Sequence, residues 1–347
     1  MNDIVKQTQK PLLEALEDVN SQPLWDRYMR LNTREPQYHA PLHWPWAAMA
    51  PLIERAATEI SMEEAERRVL LLTHPDFPGT VFTTPTLSGG LQVLNPGESA
   101  GAHRHTLAAL RIVMTGNGAV TTVDGKRCEM SPGDMVLTPA WSWHEHCHEG
   151  TERMVWFDGL DYPLARHLGA VFFEMGPGPV PPLGLAGAPD ESLAEGGMLP
   201  EGDASVVPYS PLYRYAWERA NRVLAAMSPG ADGSRRLRYI NPADGGSVMP
   251  TIDVEALRLC AGQPTLPQRT TANALVVVIE GEGRSSIGEH VFEWKQHDVF
   301  TLPRWQWLQH TAHSSEATLM LVSDRELMRK LGYLREQSRA DLSLTST

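Results

Sequence analysis

The spacing of hydrophobic and polar residues changes near residue 84. Before this point, apolar residues recur at helical intervals, which predicts helices at Leu12–Leu16, Trp25–Leu31 and Ser61–Leu70. Ser61 is followed three residues later by Glu64, and this capping-box pair predicts that the third helix begins there. We therefore expect the first 83 residues to form a largely helical region.

From residue 84 onward, apolar residues come in short runs separated by Gly, Pro and Asp. These runs predict β-strands, of which the clearest are Leu91–Leu94, Ile112–Met114, Ala119–Val123 and Met135–Leu137. Asp124–Gly125 is a hairpin-turn pair that directly follows the third run. Many short strands at this spacing favour a β-barrel or jelly roll.

A second β-rich region extends from about residue 252 to 322 and repeats the first. Ala272–Gly283 has the pattern of Ala108–Gly118, and His297–Pro303 has the pattern of Gly133–Pro139. We interpret the repeat as an internal duplication of a β-domain.

The two β-rich regions are separated by a stretch without periodicity. Residues 176–206 are rich in Gly, Pro and acidic residues and predict a linker, which a helix at about 212–227 follows. The chain is thus divided into four predicted segments: a helical region at 1–83, a first β-barrel at 84–175, a linker and helix at 176–235, and a second β-barrel at 236–347.

Composition and charge argue against several classes of protein. The net charge of −12 and the lack of a Lys/Arg run argue against nucleic acid as a partner. No run of about 18 apolar residues is present and the N-terminus is polar, so we expect a cytoplasmic protein without a membrane partner. Cys128, Cys147 and Cys260 contain no CxxC pair, which fits a reducing compartment and offers no thiolate metal site.

The chemistry of the chain is concentrated in its histidines. His103 and His105 are one residue apart, so on a β-strand both side chains point to the same face. His144, in the histidine-rich segment after the Met135–Leu137 strand, is the candidate third ligand. Three neutral imidazoles with open coordination positions suit Fe(II) chemistry with a chelating substrate and O2, although zinc also accepts such ligands.

These motifs resemble the bicupin ring-cleaving dioxygenases typified by gentisate 1,2-dioxygenase, which have salicylate-cleaving relatives. The first cupin motif, a glycine and five residues before His-x-His, is met by Gly97, His103 and His105, and the second by Gly133–His144. The glutamate ligand of general cupins is absent, as is typical of this group. The resemblance covers nearly the whole chain, including the segments Glu66–Leu70, Gly90–Glu98, Phe157–Leu164 and Leu237–Pro242.

The resemblance implies a mainly β fold, a bicupin of two double-stranded β-helix (jelly-roll) barrels with an N-terminal helical region. In the second barrel the places of the metal ligands are occupied by Gln268, Thr270 and Leu308. We therefore expect that barrel to bind no metal and to serve packing and oligomerisation. The resemblance also implies a homotetramer.

The activity implied is Fe(II)-dependent cleavage by O2 of a small aromatic hydroxy acid. For gentisate, the ring would open between the carboxyl-bearing and hydroxyl-bearing carbons to give maleylpyruvate. Salicylate or a 5-substituted salicylate, such as 5-nitrosalicylate, is the alternative substrate, because all these compounds carry the same chelating groups. Outside this class, the alternatives are a non-oxidative cupin isomerase or a binding protein.

Arginines are the expected partners of the substrate carboxylate. Arg111 is the first candidate, because it lies six residues after His105 and a regular strand would place both on one face; the alternative is a structural ion pair. The resemblance implies a second arginine, either Arg67 or Arg68, unless these belong to a solvated helix face. Gln92 is predicted to enter the same pocket or to satisfy backbone groups.

Other side chains are candidates for proton transfer and for substrate choice. His146 would share a face with His144 and could either take the phenolic proton or stabilise the peroxo intermediate, with Asp158 as the residue that orients it. Ser88 occupies a place where relatives often carry a large aromatic, so it either opens the pocket or is a plain loop residue. We expect the aromatic rings of Trp141, Trp143 and Trp156 to belong to the core or the pocket wall, and His310 and His313 to be surface residues.

Overall fold

The structure, a computed structural model, describes residues 12–32, 35, 38–176, 178, 193 and 207–339. The chain divides into two compact units, residues 1–37 and 38–347. The first unit contains helix α1 (residues 12–18) and helix α2 (Leu24–Leu31), which confirms the first two predicted helices. Most of the predicted linker at 176–206 lies outside the described residues. In the described part of the chain, no helix is both long and apolar enough to cross a lipid bilayer.

The second unit begins with a short strand and two helices. Strand β1 is His43–Trp44, helix α3 is Trp46–Glu59 and helix α4 is Met62–Ala65. Ser61 caps α4 as predicted, because its side chain accepts a hydrogen bond from the Glu64 amide at 3.1 Å. The predicted extension of this helix to Leu70 is wrong: Glu66 adopts a left-handed φ of 53° that ends the helix.

The apolar run that follows α4 is a strand, β2, because it pairs with the next strand of the first barrel. That barrel consists of two facing antiparallel sheets with strand orders β12-β8-β5-β10-β3-β2 and β11-β4-β9-β6-β7. Its strands are β2 (Val69–Leu72), β3 (Ser88–Leu94), β4 (Ser99–His105), β5 (Ala109–Thr115), β6 (Ala119–Val123), β7 (Lys126–Glu129), β8 (Met135–Thr138), β9 (His144–His148), β10 (Met154–Leu160), β11 (Phe173–Met175) and β12 (Arg214–Tyr215). All four clearest predicted strands are confirmed.

The second barrel repeats this topology, as the internal duplication predicts. Its strand orders are β1-β19-β16-β21-β14-β13 and β18-β17-β20-β15-β22. The central order β19-β16-β21-β14 repeats β8-β5-β10-β3, so the fold is a mainly β bicupin. The strands are β13 (Arg235–Arg238), β14 (Asp253–Cys260), β15 (Gln268–Thr270), β16 (Ala274–Glu280), β17 (Glu282–Ile287), β18 (His290–Lys295), β19 (Val299–Leu302), β20 (Leu308–Ala312), β21 (Glu316–Ser323) and β22 (Glu336–Ser338).

Short helices connect these sheets. Helix α5 is Tyr162–His167, α6 is Trp217–Ala226 and α7 is Arg325–Lys330. The helix predicted at about 212–227 is therefore present but begins later, because Arg214 and Tyr215 form β12 against β8 of the first barrel.

Alternation along the strands separates two apolar layers. Leu91 and Leu110 of the first barrel pack with Val277 and Met320 of the second in a core that joins the barrels. The alternate residues of each strand lie on its opposite face and point into the interior of their own barrel. This alternation turns Gln92 of β3 and Arg111 of β5 toward the interior of the first barrel.

Candidate metal centre

Three buried histidines meet inside the first barrel. His103 and His105 lie on β4, and His144 lies on the neighbouring strand β9, directly opposite His103 in the strand pairing. One candidate ligand atom from each ring lies within 4.8 Å of the others. No other group of three or more His, Cys, Asp or Glu residues in the described part of the chain has this spacing. The structure thus brings together the predicted ligands.

The hydrogen bonds of two of these rings fix which nitrogen faces the centre. His105 Nδ1 lies 2.9 Å from the Leu107 carbonyl oxygen, and His144 Nδ1 lies 2.9 Å from the Ser142 carbonyl oxygen. A carbonyl only accepts, so each Nδ1 carries the hydrogen and each Nε2 keeps a lone pair. Burial also lowers the pKa of His105 to about 4 and that of His103 to about 2.

Burial likewise lowers the pKa of His144 well below its ordinary value, so all three rings are neutral. Neutral imidazole is the form that ligates a metal. The donor set therefore fits a divalent transition metal with open coordination positions.

Of the two candidate arginines after α4, Arg67 lies beside the histidines. Its Nη2 donates to the Gly101 carbonyl oxygen at 2.7 Å and lies 2.5 Å from His103 Nδ1. Arg68 points elsewhere: its Nη1 donates to the Ala57 carbonyl oxygen at 2.9 Å, and its Nη2 pairs with Glu98. Of the two arginines that the sequence left open, Arg67 is thus the one that lies beside the histidines, and Arg68 is not.

Arg111 also reaches the barrel interior, but not for the reason expected. A bend at residues 106–107 separates β4 from β5, so Arg111 and His105 lie on facing sheets rather than on one regular strand. Arg111 Nη1 donates to Thr138 Oγ1 at 2.8 Å, and its Nε lies 3.5 Å from Asp158 Oδ1. Burial raises the pKa of Asp158 to about 6 although Arg111 opposes the shift.

His146 lies two residues beyond His144 on the same face of β9. Its Nδ1 lies 2.8 Å from Thr121 Oγ1, and its buried Nε2 has no hydrogen-bond partner. The expectation that Asp158 orients His146 is wrong, because Asp158 contacts Arg111 and accepts from Trp156 Nε1 at 3.1 Å. The sequence reasoning missed Thr121, a polar residue in an inward-facing place of β6.

Buried polar atoms that lack a partner gather around the three histidines. Buried donors and acceptors in proteins are nearly always paired, so such a group indicates a ligand that completes it. Most of the described unpartnered atoms belong to this site: Arg67 Nε, Gln92 Nε2, Arg111 Nε, His144 Nε2 and His146 Nε2. Arg67 Nε and Gln92 Nε2 are donors that suit an anionic group, whereas Arg111 Nε already faces Asp158 Oδ1.

The remaining candidates have other surroundings. Ser88 is buried and its hydroxyl donates to the Val81 carbonyl oxygen at 2.9 Å. Trp141, 42% exposed, and Trp143 stack on Arg104 outside the barrel, so neither lines the interior. Trp156 belongs to the core of the first barrel, which is one of the two places predicted for it, the core or the pocket wall.

The second barrel has no histidine triad at the corresponding places. Gln268 and Thr270 lie on β15 and Leu308 on β20, where the first barrel has its three histidines. His310, expected at the surface, is 2% exposed and lies 2.7 Å from Ser285 Oγ, which repeats the contact between His146 and Thr121.

The chain is similar to proteins of known activity. Residues 90–160 match the cupin domain family. The chain is 37% identical over 339 residues to gentisate 1,2 dioxygenase 1 of Aquipseudomonas alcaligenes, covering 96% of this chain and 97% of that protein. It is 34% identical to 5-aminosalicylate 1,2-dioxygenase of Comamonas sp., covering 95% of this chain and 90% of that protein.

The fold has the same relatives. A crystal structure of salicylate 1,2-dioxygenase from Pseudoaminobacter salicylatoxidans with gentisate superposes with a TM-score of 0.87 and 30% identity. The match covers 95% of this chain and 94% of that one.

Proposed function

The chain belongs to the gentisate and salicylate 1,2-dioxygenase family of ring-cleaving bicupins, and we propose that it is an Fe(II)-dependent enzyme that cleaves gentisate. The ring opens between the carboxyl-bearing and hydroxyl-bearing carbons, both atoms of O2 enter the product, and the product is maleylpyruvate. The observation that carries the proposal is the group of unpartnered donors around three neutral histidines.

The proposed reaction with O2 needs a redox-active metal, so we assign Fe(II) to this site rather than a redox-inert ion. His103, His105 and His144 would hold the metal, and three protein ligands would leave coordination positions for the substrate and O2. Fe(II) held there would supply a centre for chelation by the substrate carboxylate and ortho-phenolate oxygens and a path for electron density from the ring to O2.

The carboxylate of the substrate would be held by Arg111 and Arg67. Arg111 is held by Thr138 and Asp158, so its guanidinium is already oriented before substrate binds. An imidazole that ligates through Nε2 carries its hydrogen on Nδ1, so Arg67 Nη2 would leave His103 and turn to the carboxylate when metal is bound. Gln92 Nε2 adds a neutral donor.

His146 would act on the phenolic proton of the substrate. Its neutral ring has an unpartnered Nε2 directed into the site, and Thr121 holds the other side of the ring. A neutral imidazole is able to take a proton as the hydroxyl becomes a phenolate. Asp158 serves Arg111 instead, so we assign it a positioning role.

A 5-substituted salicylate is the second candidate substrate. Ser88 is small, and its hydroxyl is held by the Val81 carbonyl oxygen rather than directed at the histidines. A serine at a place where relatives carry a bulky aromatic would leave room for a substituent larger than the gentisate hydroxyl.

The test is oxygen uptake by protein loaded anaerobically with Fe(II), with gentisate, salicylate, 5-aminosalicylate and 5-nitrosalicylate supplied separately. We expect uptake of one O2 per gentisate and an ultraviolet band of the ring-opened product. Faster turnover of a 5-substituted salicylate would transfer the proposal to that substrate. No uptake with any of the four, at verified iron occupancy, would contradict ring cleavage.

The two neighbouring arginines predict different defects. Arg67→Gln removes a charged donor worth about 1.5–3 kcal/mol, so kcat/KM for gentisate should fall about 10- to 100-fold with little change in Tm. Arg68→Gln, the matched control, should lower Tm because it breaks the pair with Glu98, while KM stays near that of the wild type. Equal effects on KM would contradict the assignment of Arg67.

We further propose a cytoplasmic homotetramer. Leu168, Phe172, Phe173 and Met175 are exposed apolar residues that follow one another at the edge of the first barrel, as expected of a surface covered in an oligomer. The three cysteines are free thiols, which fits a reducing compartment. Light scattering that gives the mass of one chain would contradict the tetramer.

A further inference from the structure

The second barrel, which lacks the histidine triad, still contains a cavity that is partly open to solvent. Its volume is about 450 Å³, within the range of about 300–1,000 Å³ that is usual for small-molecule sites. A small barrel that served packing alone would be filled by its own side chains. Gln268, Thr270 and Leu308, at the places of the metal ligands in the first barrel, all line the cavity.

The lining of this cavity carries three arginines, Arg236, Arg269 and Arg325, and two glutamates, Glu255 and Glu336, so its net charge is positive. Arg236 lies on β13, and its Nη1 donates to Glu255 Oε1 at 2.7 Å, which leaves its other nitrogens for a further acceptor. The guanidinium is close enough to His310 to oppose protonation of that ring. The equivalent strand β2 (Val69–Leu72) is entirely apolar, and the arginine that reaches the histidines of the first barrel, Arg67, precedes that strand.

His310 provides a second donor, and its hydrogen can be located from its neighbours. Ser285 Oγ accepts from Trp294 Nε1 at 2.9 Å and lies 2.7 Å from His310 Nδ1. Ser285 is fully buried, so its single hydrogen is satisfied only if it donates to His310 Nδ1. The neutral ring then carries its hydrogen on Nε2, on the side that lines the cavity.

An apolar wall completes the site. Leu302, Leu308 and Leu321 line the cavity together with Arg236 and His310. We propose that the second barrel binds a small organic carboxylate, with its charged group on Arg236 and His310 and its apolar body against the three leucines. This site is separate from the histidine triad, and the proposal does not depend on the activity proposed above.

The position of the ligand can be tested directly with 4-bromobenzoate, which has no ortho-hydroxyl and so cannot form the phenolate chelate. Crystals of the full chain soaked in it should show a bromine anomalous peak in the second barrel, with the carboxylate on Arg236. A peak in the first barrel alone, or no peak, would overturn the proposal.

Titration calorimetry should give the same answer in solution. Wild type should bind one more 4-bromobenzoate per chain than Arg236→Gln, whose affinity at this site should be reduced about 10- to 100-fold by loss of the charged donor. Leu308→Phe places a larger ring in the apolar wall without changing the charge of the cavity and should also weaken binding. Arg284→Gln is the matched control, because Arg284 is an exposed arginine of the same barrel outside the cavity.

Equal stoichiometry and affinity in wild type, Arg236→Gln and Leu308→Phe would overturn the proposal. A bromine peak in the second barrel, with equal binding by wild type and the two variants in solution, would mean binding at crystal concentration only. That result would also overturn the proposal. Because the two variants change the cavity in different ways, a folding defect in one leaves the other as the test.

Discussion

Replacement of His144 by alanine is expected to abolish iron retention and ring cleavage together. His144 is fully buried and its Nε2 has no hydrogen-bond partner within the described chain, so its loss leaves only His103 and His105 of the candidate ligands. Loss of a residue that merely orients a ligand costs about 10- to 100-fold in metal affinity or activity, so loss of the ligand itself should exceed about 100-fold. Iron content per chain and oxygen uptake measure the two effects.

The same strand supplies matched controls, because His146 and His148 are buried on the same face of β9 as His144. His146→Gln should retain iron and lose about 10²- to 10⁴-fold in kcat, the usual contribution of a general base. His148 contacts only the backbone of Glu152 and Gly150, so His148→Gln should retain both iron and turnover with a lower Tm. Normal iron content in His144→Ala would contradict the assignment of the metal ligands.

The histidine triad could be predicted from the sequence because it follows from local geometry. His103 and His105 share a face by the alternation of a strand, and a hairpin-rich barrel brings a later strand alongside. The duplication was also visible, because repeated strands carry repeated apolar patterns. Both predictions depend on spacing within a few residues, which a single sequence contains.

The orientation of the arginines could not be predicted, because it depends on one backbone angle. The left-handed φ of 53° at Glu66 ends α4 early, and the following residues alternate as in a strand, with Arg67 and Arg68 on opposite sides. A helix continued to Leu70 would have placed both on neighbouring faces. Nothing in the local composition distinguishes the two courses.

Side-chain contacts between different strands could not be predicted from the sequence either. His146 contacts Thr121 and Arg111 contacts Thr138 across 25 and 27 residues of chain, and both distances depend on the strand register. The sequence analysis proposed Asp158 as the residue that orients His146. The observed pair of Asp158 with Arg111 follows from their being directly opposite in the pairing of β10 with β5.

Replacement of Arg111 by methionine is expected to lower kcat/KM about 10²- to 10³-fold, as for loss of a preorganised donor in a buried site. It should also destabilise the fold by about 3–5 kcal/mol, because Asp158 is left buried without its partner. Steady-state kinetics with gentisate and urea unfolding measure the two effects. The stability loss alone would also be expected if Arg111 were only a structural ion pair.

The double variant Arg111→Met/Asp158→Asn separates these two roles. Removing the carboxylate should recover much of the lost stability but none of the lost kcat/KM, because the substrate carboxylate still lacks its donor. If turnover recovers together with stability, Arg111 is a structural residue and the substrate assignment is wrong.

The pH dependence of unfolding gives an independent check on the same pair. The pKa of Asp158 is raised by burial to about 6, and losing Arg111 removes a charge that holds it down. A carboxyl whose pKa is higher in the folded state takes up protons on folding, so stability falls as pH rises between the unfolded and folded values. Arg111→Met should therefore lose stability between about pH 4 and 7 more steeply than wild type, and Asp158→Asn should abolish that extra slope in the double variant. An unchanged slope would show that Asp158 does not respond to Arg111, which would remove the physical basis for treating the pair as the support of the carboxylate site.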